Sequence, residues 1–195
     1  MSGGGSILLS GVGGQGILLA SEITAYALME AGFDVKKSEV HGMAQRGGSV
    51  VAHLRYGAKV HSPLIEPGGA DIVGAFELLE ALRYLPFMKP STKVIVNTQR
   101  ILPPSVALGQ QEYPDDPARQ LRAKGLDVYE VDALGVAREV GELRTVNMVL
   151  VGAYSTFLPM GAEVFLKVIR ERVKKGFAEV NQEAFNRGRA LSGGR

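Results

Sequence analysis

Ser6-Ile-Leu-Leu-Ser-Gly11-Val-Gly13-Gly14-Gln15-Gly16-Ile-Leu-Leu-Ala-Ser21 is the stretch from which the fold of this chain is read. An apolar run from Ile7 to Leu9 ends in glycines and restarts as an apolar helix. Strand, tight turn and helix in that order open a nucleotide-binding α/β unit. Gly11, Gly13 and Gly16 fit the G-x-G-x-x-G spacing. One glycine permits the sharp turn, a second lets backbone approach a phosphate, and the third lets helix and strand pack closely. The amides of Gly13, Gly14, Gln15 and Gly16 are then candidates to face an anion at the helix start. A glycine-rich first turn also suits α/β domains that bind no phosphate, so the stretch alone supports either reading.

Downstream, Ile17, Leu18, Ala20, Ile23, Ala25, Ala27, Leu28 and Ala31 populate most faces of a helix, which predicts burial, and Gly32 is a natural stop. Phe33 to Val40 reads as the second strand, with Glu39 near the place where a dinucleotide enzyme binds ribose hydroxyls. His41-Gly-Met-Ala-Gln-Arg-Gly-Gly-Ser49 is a glycine-flanked loop where an ordinary Rossmann unit would put a helix. Val50 to Tyr56 alternates as a half-buried strand, and Gly57-Ala58 can turn it back into a short strand over Lys59 to Ser62. The α/β pattern thus carries a β-hairpin insertion. Strands follow at Asp71–Phe76, Lys93–Asn97 and Asp127–Val131, with helices at Glu77–Tyr84 and Pro117–Lys124 and a proline-rich loop between residues 98 and 117. Asp132 caps the next helix, and from Thr145 the chain reads as helix only, over 147–157, 162–174 and 177–189. The expected class is a Rossmann-like, mostly parallel α/β sheet with a hairpin insertion and a helical C-terminal third.

Composition narrows the function. A chain of 195 residues fits one domain over 1–195, with flexible ends expected at about 1–5 and 190–195. Hydrophobic content of 46% and charged content of 22% are ordinary for a globular protein. The net charge of +2, without a basic stripe interleaved with aromatics, argues against a nucleic-acid partner. The absence of cysteine removes disulfides, thiolate nucleophiles and ligands for an iron–sulfur cluster. No signal-peptide pattern opens the chain, and Met148 to Leu158 is far shorter than the roughly 20 residues of a membrane span, so no membrane partner and a cytoplasmic location are expected.

Ligands of open α/β sheets bind beyond the carboxyl ends of the strands. Three segments fall there: Gly11–Gly16, His41–Gly48 and Asn97–Gln99. The first two can form an anion cradle of facing glycine-rich backbones, with Gly47 and Gly48 beside Arg46 as a phosphate or carboxylate clamp. Arg46 equally suits a subunit interface. His41 is an acid–base candidate by its ordinary pKa, or a hydrogen-bonding loop residue. His53 and His61 fall on opposite arms of the expected hairpin, but no carboxylate or cysteine spacing supports a metal site. Asp115-Asp116 reads as a turn. Glu77 and Glu80, one helical turn apart, could pair for acid–base work, but are expected on the exposed face of their helix. Ser10, Ser49 and Ser62 lack a nucleophile-elbow context. No catalytic set is visible, which suits holding a phosphate or a partner better than bond chemistry.

Gly11-Val-Gly-Gly-Gln-Gly16, followed by Ser38-Glu-Val-His-Gly-Met-Ala-Gln-Arg-Gly-Gly-Ser-Val50, resembles the gamma-type subunits of 2-oxoacid:ferredoxin oxidoreductases. Within that family the resemblance is to the small, or beta, subunit of the indolepyruvate branch, and it continues through Ser62–Ile65, Phe76–Arg83, Ile95–Thr98 and Asn147–Ala153. The resemblance implies a complex that oxidatively decarboxylates an aryl 2-oxoacid with coenzyme A, giving acyl-CoA, carbon dioxide and reduced ferredoxin. Thiamine diphosphate and 4Fe–4S clusters belong to a large partner subunit in that family, and neither a thiamine-type G-D-G segment nor a cysteine occurs here. The chain alone should therefore be inactive, with CoA phosphates possible at the glycine turn and Arg46. The rivals are a stand-alone NAD(P)-dependent oxidoreductase, which needs a ribose reader at the end of the second strand, and a freestanding ligand-sensing module of the same fold.

Overall fold

The computed structural model describes residues 3–41 and 48–192, apart from the side chains of residues 41, 104 and 105. In chain order the elements are β1 (Gly5–Val12), α1 (Ile17–Glu30), β2 (Asp34–His41), β3 (Ser49–Gly57), β4 (Ala70–Ala75), α2 (Leu78–Arg83) and β5 (Met88–Asn97). They continue with α3 (Pro104–Ala107), α4 (Pro117–Ala123), β6 (Asp127–Val131), α5 (Ala133–Val140), α6 (Val146–Ser155), α7 (Ala162–Arg172) and α8 (Ala178–Ser192). The six strands form one sheet in the order β2-β3-β1-β4-β5-β6. Only β3 runs against the rest, antiparallel to both β1 and β2, while β1, β4, β5 and β6 pair in parallel.

The antiparallel hairpin exists, but its arms are β2 and β3, in register from Asp34 opposite Gly57 to His41 opposite Val50. Residues 59–62 form no strand. Local alternation in β3 reports that a strand is present and not which neighbour it takes. Nor is β3 half-buried. Val51 and His53, expected on a solvent face, are covered by the segment carrying Ile65 and by Phe87, and only Arg55 of that face is exposed. His53 Nδ1 accepts the Ile65 amide at 3.2 Å, and burial lowers its pKa. His61 lies in the exposed segment after β3, so the two histidines are not arms of one hairpin.

Both faces of the sheet are covered. Ile7, Leu9, Ala52, Leu54 and Ile95 meet α1 and α5–α8 on one face, with Tyr154, Phe165 and Phe185 at the centre of the layer. On the other face Val94 and Val96 pack against Leu78, Ala81 and Leu121, while Leu8 and Val73 pack against Ile65. Strands buried on both sides read as continuous apolar runs, which is why β1 and β5 were legible. The α6–α8 crossing is made by two glycines. A Cβ on Gly152 would lie 2.0 Å from the Phe185 carbonyl oxygen, and one on Gly188 would lie 2.0 Å from that of Val149.

Candidate functional site

The glycine turn sits at the carboxyl end of β1, between β3, which runs antiparallel to it, and β4, which runs parallel. Gly16 takes the left-handed conformation, φ 79°, as the N-cap of the 14-residue α1, which has no side-chain cap. A Cβ there would also strike the Asn147 amide nitrogen at 2.6 Å. Gly11 serves closeness instead: its Cβ would lie 2.7 Å from Phe76 Cβ. Gln15 folds back over the strand ends, its Oε1 accepting the Val12 amide and its Nε2 donating to the Phe76 carbonyl, both at 2.8 Å. It is a clamp between β1 and β4.

Not every amide of the turn is available to an anion. Gly13 donates to the Gly48 carbonyl at 2.9 Å and Gln15 donates to Val12 at 3.1 Å. Among the described residues the Gly14 and Gly16 amides donate to no carbonyl. The Gly13–Gly48 bond brings the second glycine-rich segment against the first. Arg46, Gly47 and the His41 side chain lie outside the described residues.

Beside the turn is a cleft of about 310 Å³ lined by Gly14, Gln15, Gly16, Gln99, Leu134 and Arg144, with Leu143 and Val146 completing it. The expected third segment, Asn97–Gln99, therefore contributes Gln99. Uncapped helix starts at α1 and α6 open at this cleft, each carrying the partial positive charge of a helix N-terminus. Arg144 was not singled out from sequence; an arginine two residues before an uncapped apolar helix was the available signal. Its guanidinium forks onto Glu142, with Nε donating at 2.9 Å and Nη2 at 2.7 Å, and rests 4.7 Å from the Phe177 ring. That fork holds the Glu142 carboxyl down at about 2.

Glu77 and Glu80 correct the expectation of an exposed pair, since they are 1% and 3% exposed. Glu77 is the N-cap of α2: its Oε2 accepts the Leu79 amide at 2.7 Å and the Glu80 amide at 3.1 Å. Its Oε1 accepts the Ile101 amide at 3.1 Å and the Tyr113 hydroxyl at 2.5 Å. Four donors let the carboxylate be buried with its lone pairs occupied. Burial and the bond to Glu77 raise the Tyr113 pKa. Glu80 accepts from the Ser49 hydroxyl at 2.5 Å and from Arg83 Nε at 3.0 Å. The two carboxylates thus anchor two segments at α2: residues 98–116 through Glu77 and the start of β3 through Glu80. Neither faces the cleft, so they do not form an acid–base pair there.

The ribose reader is misplaced for a dinucleotide. β3 lies between β1 and β2, so Glu39 is two strands from the glycine turn, about 10 Å away across the sheet. Its Oε1 accepts from Ser21 Oγ and Lys37 Nζ, both at 2.7 Å. Among the described residues no cluster of histidine and carboxylate side chains is placed to hold a metal, and no helix is long and apolar enough to cross a membrane.

Residues 6–191 match the family described as pyruvate ferredoxin/flavodoxin oxidoreductase. The chain belongs to this family. It is 43% identical over 194 residues to the "Indolepyruvate oxidoreductase subunit IorB" of Archaeoglobus fulgidus, covering 96% of each chain. It is 38% identical to the protein of the same name from Thermococcus kodakarensis, with 94% of this chain and 93% of the relative covered. Among solved structures, the gamma subunit of a keto/oxoacid ferredoxin oxidoreductase from Geobacter sulfurreducens superposes with a TM-score of 0.73 at 22% identity, over 97% of this chain and 99% of that one. The whole chain also superposes on 32% of a chain of the 2-oxoglutarate:ferredoxin oxidoreductase from Magnetococcus marinus, with a TM-score of 0.76 at 21% identity. These two likenesses establish the gamma-subunit fold. The protein is a subunit of a 2-oxoacid:ferredoxin oxidoreductase.

Proposed function

We propose that this chain is the small subunit of an indolepyruvate:ferredoxin oxidoreductase, and that it helps a large partner subunit carry out CoA-dependent oxidative decarboxylation of an aryl 2-oxoacid. The observation that carries the substrate class is the identity of 43% to an indolepyruvate oxidoreductase subunit along nearly the whole chain. The division of labour follows from chemistry. The products are acyl-CoA, carbon dioxide and two electrons passed to ferredoxin, which requires a carbanion-stabilising cofactor and one-electron carriers. With no cysteine, this chain has no thiolate to ligate a cluster, so the one-electron carriers are assigned to the partner, and the carbanion-stabilising cofactor is assigned there with them by the family resemblance.

Its own contribution is the cleft beside the glycine turn, the site for part of the CoA substrate. Gly14, Gly16 and the first turn of α1 offer backbone donors, and Arg144 offers a cation at the rim. A volume of about 310 Å³ suits a phosphate-bearing portion of CoA and not the whole molecule. Leu143 on the cleft, Leu18 in the first turn of α1, and Leu102 and Leu108 after β5 are 56%, 43%, 55% and 72% exposed, which supports a partner closing over this end of the sheet. The placement of Glu39 disfavours a stand-alone NAD(P) enzyme.

The test is reconstitution of the chain with its large subunit under anoxic conditions. Ferredoxin or viologen reduction should require both chains and CoA, and indolepyruvate should outperform pyruvate and 2-oxoglutarate. Equal turnover by the large subunit alone would refute the subunit reading, and preference for an aliphatic oxoacid would refute the indolepyruvate assignment.

A further inference from the structure

On one side the sheet ends in β2, and no strand among the described residues pairs with its outer edge. Along its eight residues, alternate amides and carbonyls point away from β3, and none of the described side chains is buried. An open edge of this kind is a template for a further strand. Its charges indicate which strand fits. A twofold axis perpendicular to the sheet pairs a strand antiparallel with its own copy and keeps each face on one side, so only residues of like parity meet. Consider the registers that pair five or more residues. Centring on Lys36, Lys37 or Glu39 places that charge directly against itself. Centring on Ser38 sets Lys37 against Glu39 of the second copy, and symmetry repeats the pair. Val35 then meets His41, and Lys36 meets Val40. Opposite charges facing across strands stabilise a pairing and like charges destabilise it.

We propose that β2 pairs with β2 of a second copy of this chain, antiparallel about a twofold axis through Ser38, joining two six-stranded sheets. Lys37 and Glu39 share the α1 face, where Glu39 already accepts from Lys37 and Ser21. The cross-copy pairs extend that row into four alternating charges. On the opposite face Val40, 54% exposed, comes under the aliphatic stem of Lys36 from the other copy. The opposite edge lacks such a register: centring β6 on Tyr129 sets Asp127 against Val131 and Val128 against Glu130, with no opposite-charge pair.

The chain has no cysteine, so single thiols report the register directly. In the full-length protein, Ser38→Cys places two thiols on the axis within reach of a disulfide. Mild oxidation should then give a species of twice the 20.8 kDa chain mass. Lys36→Cys and Val40→Cys, whose own copies lie about 13 Å apart along the strands, should each cross-link roughly tenfold more slowly alone, yet join when the two variants are mixed. Light scattering of the unmodified chain should show a dimer. A monomeric mass, or Ser38→Cys cross-linking no faster than a thiol placed at Arg119 on α4, would overturn the proposal.

Discussion

Replacing Glu77 with alanine removes one carboxylate from four donors, and the consequence can be worked from the geometry. Two of those donors are the Leu79 and Glu80 amides, so the substitution uncaps α2, which costs about 0.5–2 kcal/mol. The other two, the Ile101 amide and the Tyr113 hydroxyl, tie down the segment after β5. A hydrogen bond to a charged group contributes roughly 1.5–3 kcal/mol, and partial rehydration of a released segment recovers some of it. The net loss should be about 2–4 kcal/mol in urea unfolding. Glu77→Gln should lose less, because its carbonyl oxygen still accepts while its amide nitrogen faces a donor. A double-mutant cycle with Tyr113→Phe isolates one arm and should give a coupling of about 1 kcal/mol. Gln99 lies two residues before Ile101, so the same variant should raise the KM for CoA in the assembled enzyme. A loss below about 0.5 kcal/mol, within the range of an ordinary surface substitution, would refute the view of Glu77 as the anchor of this segment.

Gly188→Ala drives a Cβ into the Val149 carbonyl, so α6 and α8 must separate; a net loss of roughly 1–3 kcal/mol should appear as a lower Tm despite the better helix propensity of alanine. Gly152→Ala added to it should cost less than it does alone, because the helices have already moved. Burial depresses the His53 pKa, so the unfolded chain binds more protons than the folded one below the unfolded value near 6.5. Stability should therefore be complete above that pH and decline as pH falls through it, a dependence that His53→Leu should abolish. Arg144→Ala should raise the KM for CoA about tenfold while kcat and subunit assembly stay unchanged, the loss of one charge-assisted contact. An unaltered KM would move the phosphate site elsewhere.

The sequence carried those parts of the fold that depend on near neighbours. The glycine turn, the buried runs of β1 and β5, the Asp132 cap and the three C-terminal helices all lie where local pattern places them. Features built from distant residues were not legible. The second face of β3 is buried by the segment carrying Ile65 and by Phe87, which alternation within β3 does not report. Glu77 and Glu80 look like an exposed helical pair until Ser49, Ile101 and Tyr113 are brought to them. Arg144 reaches the glycine turn only through the start of α6. Gly152 and Gly188 did carry a signal, since glycine within a helix often marks a close approach. For the candidate site the turn and Gln99 were legible, whereas the use of the Gly13 amide by Gly48 was not, because nothing local pairs the two segments.

The central claim is that this chain works as the cysteine-free small subunit of a ferredoxin-dependent 2-oxoacid oxidoreductase. Anoxic affinity purification from the native cells, followed by an absorbance spectrum and identification of the co-purifying chain, tests it most directly. A brown complex is expected, in which a cysteine-rich, thiamine-binding large subunit accompanies this chain in equal amount. A colourless protein recovered without a large partner would contradict it.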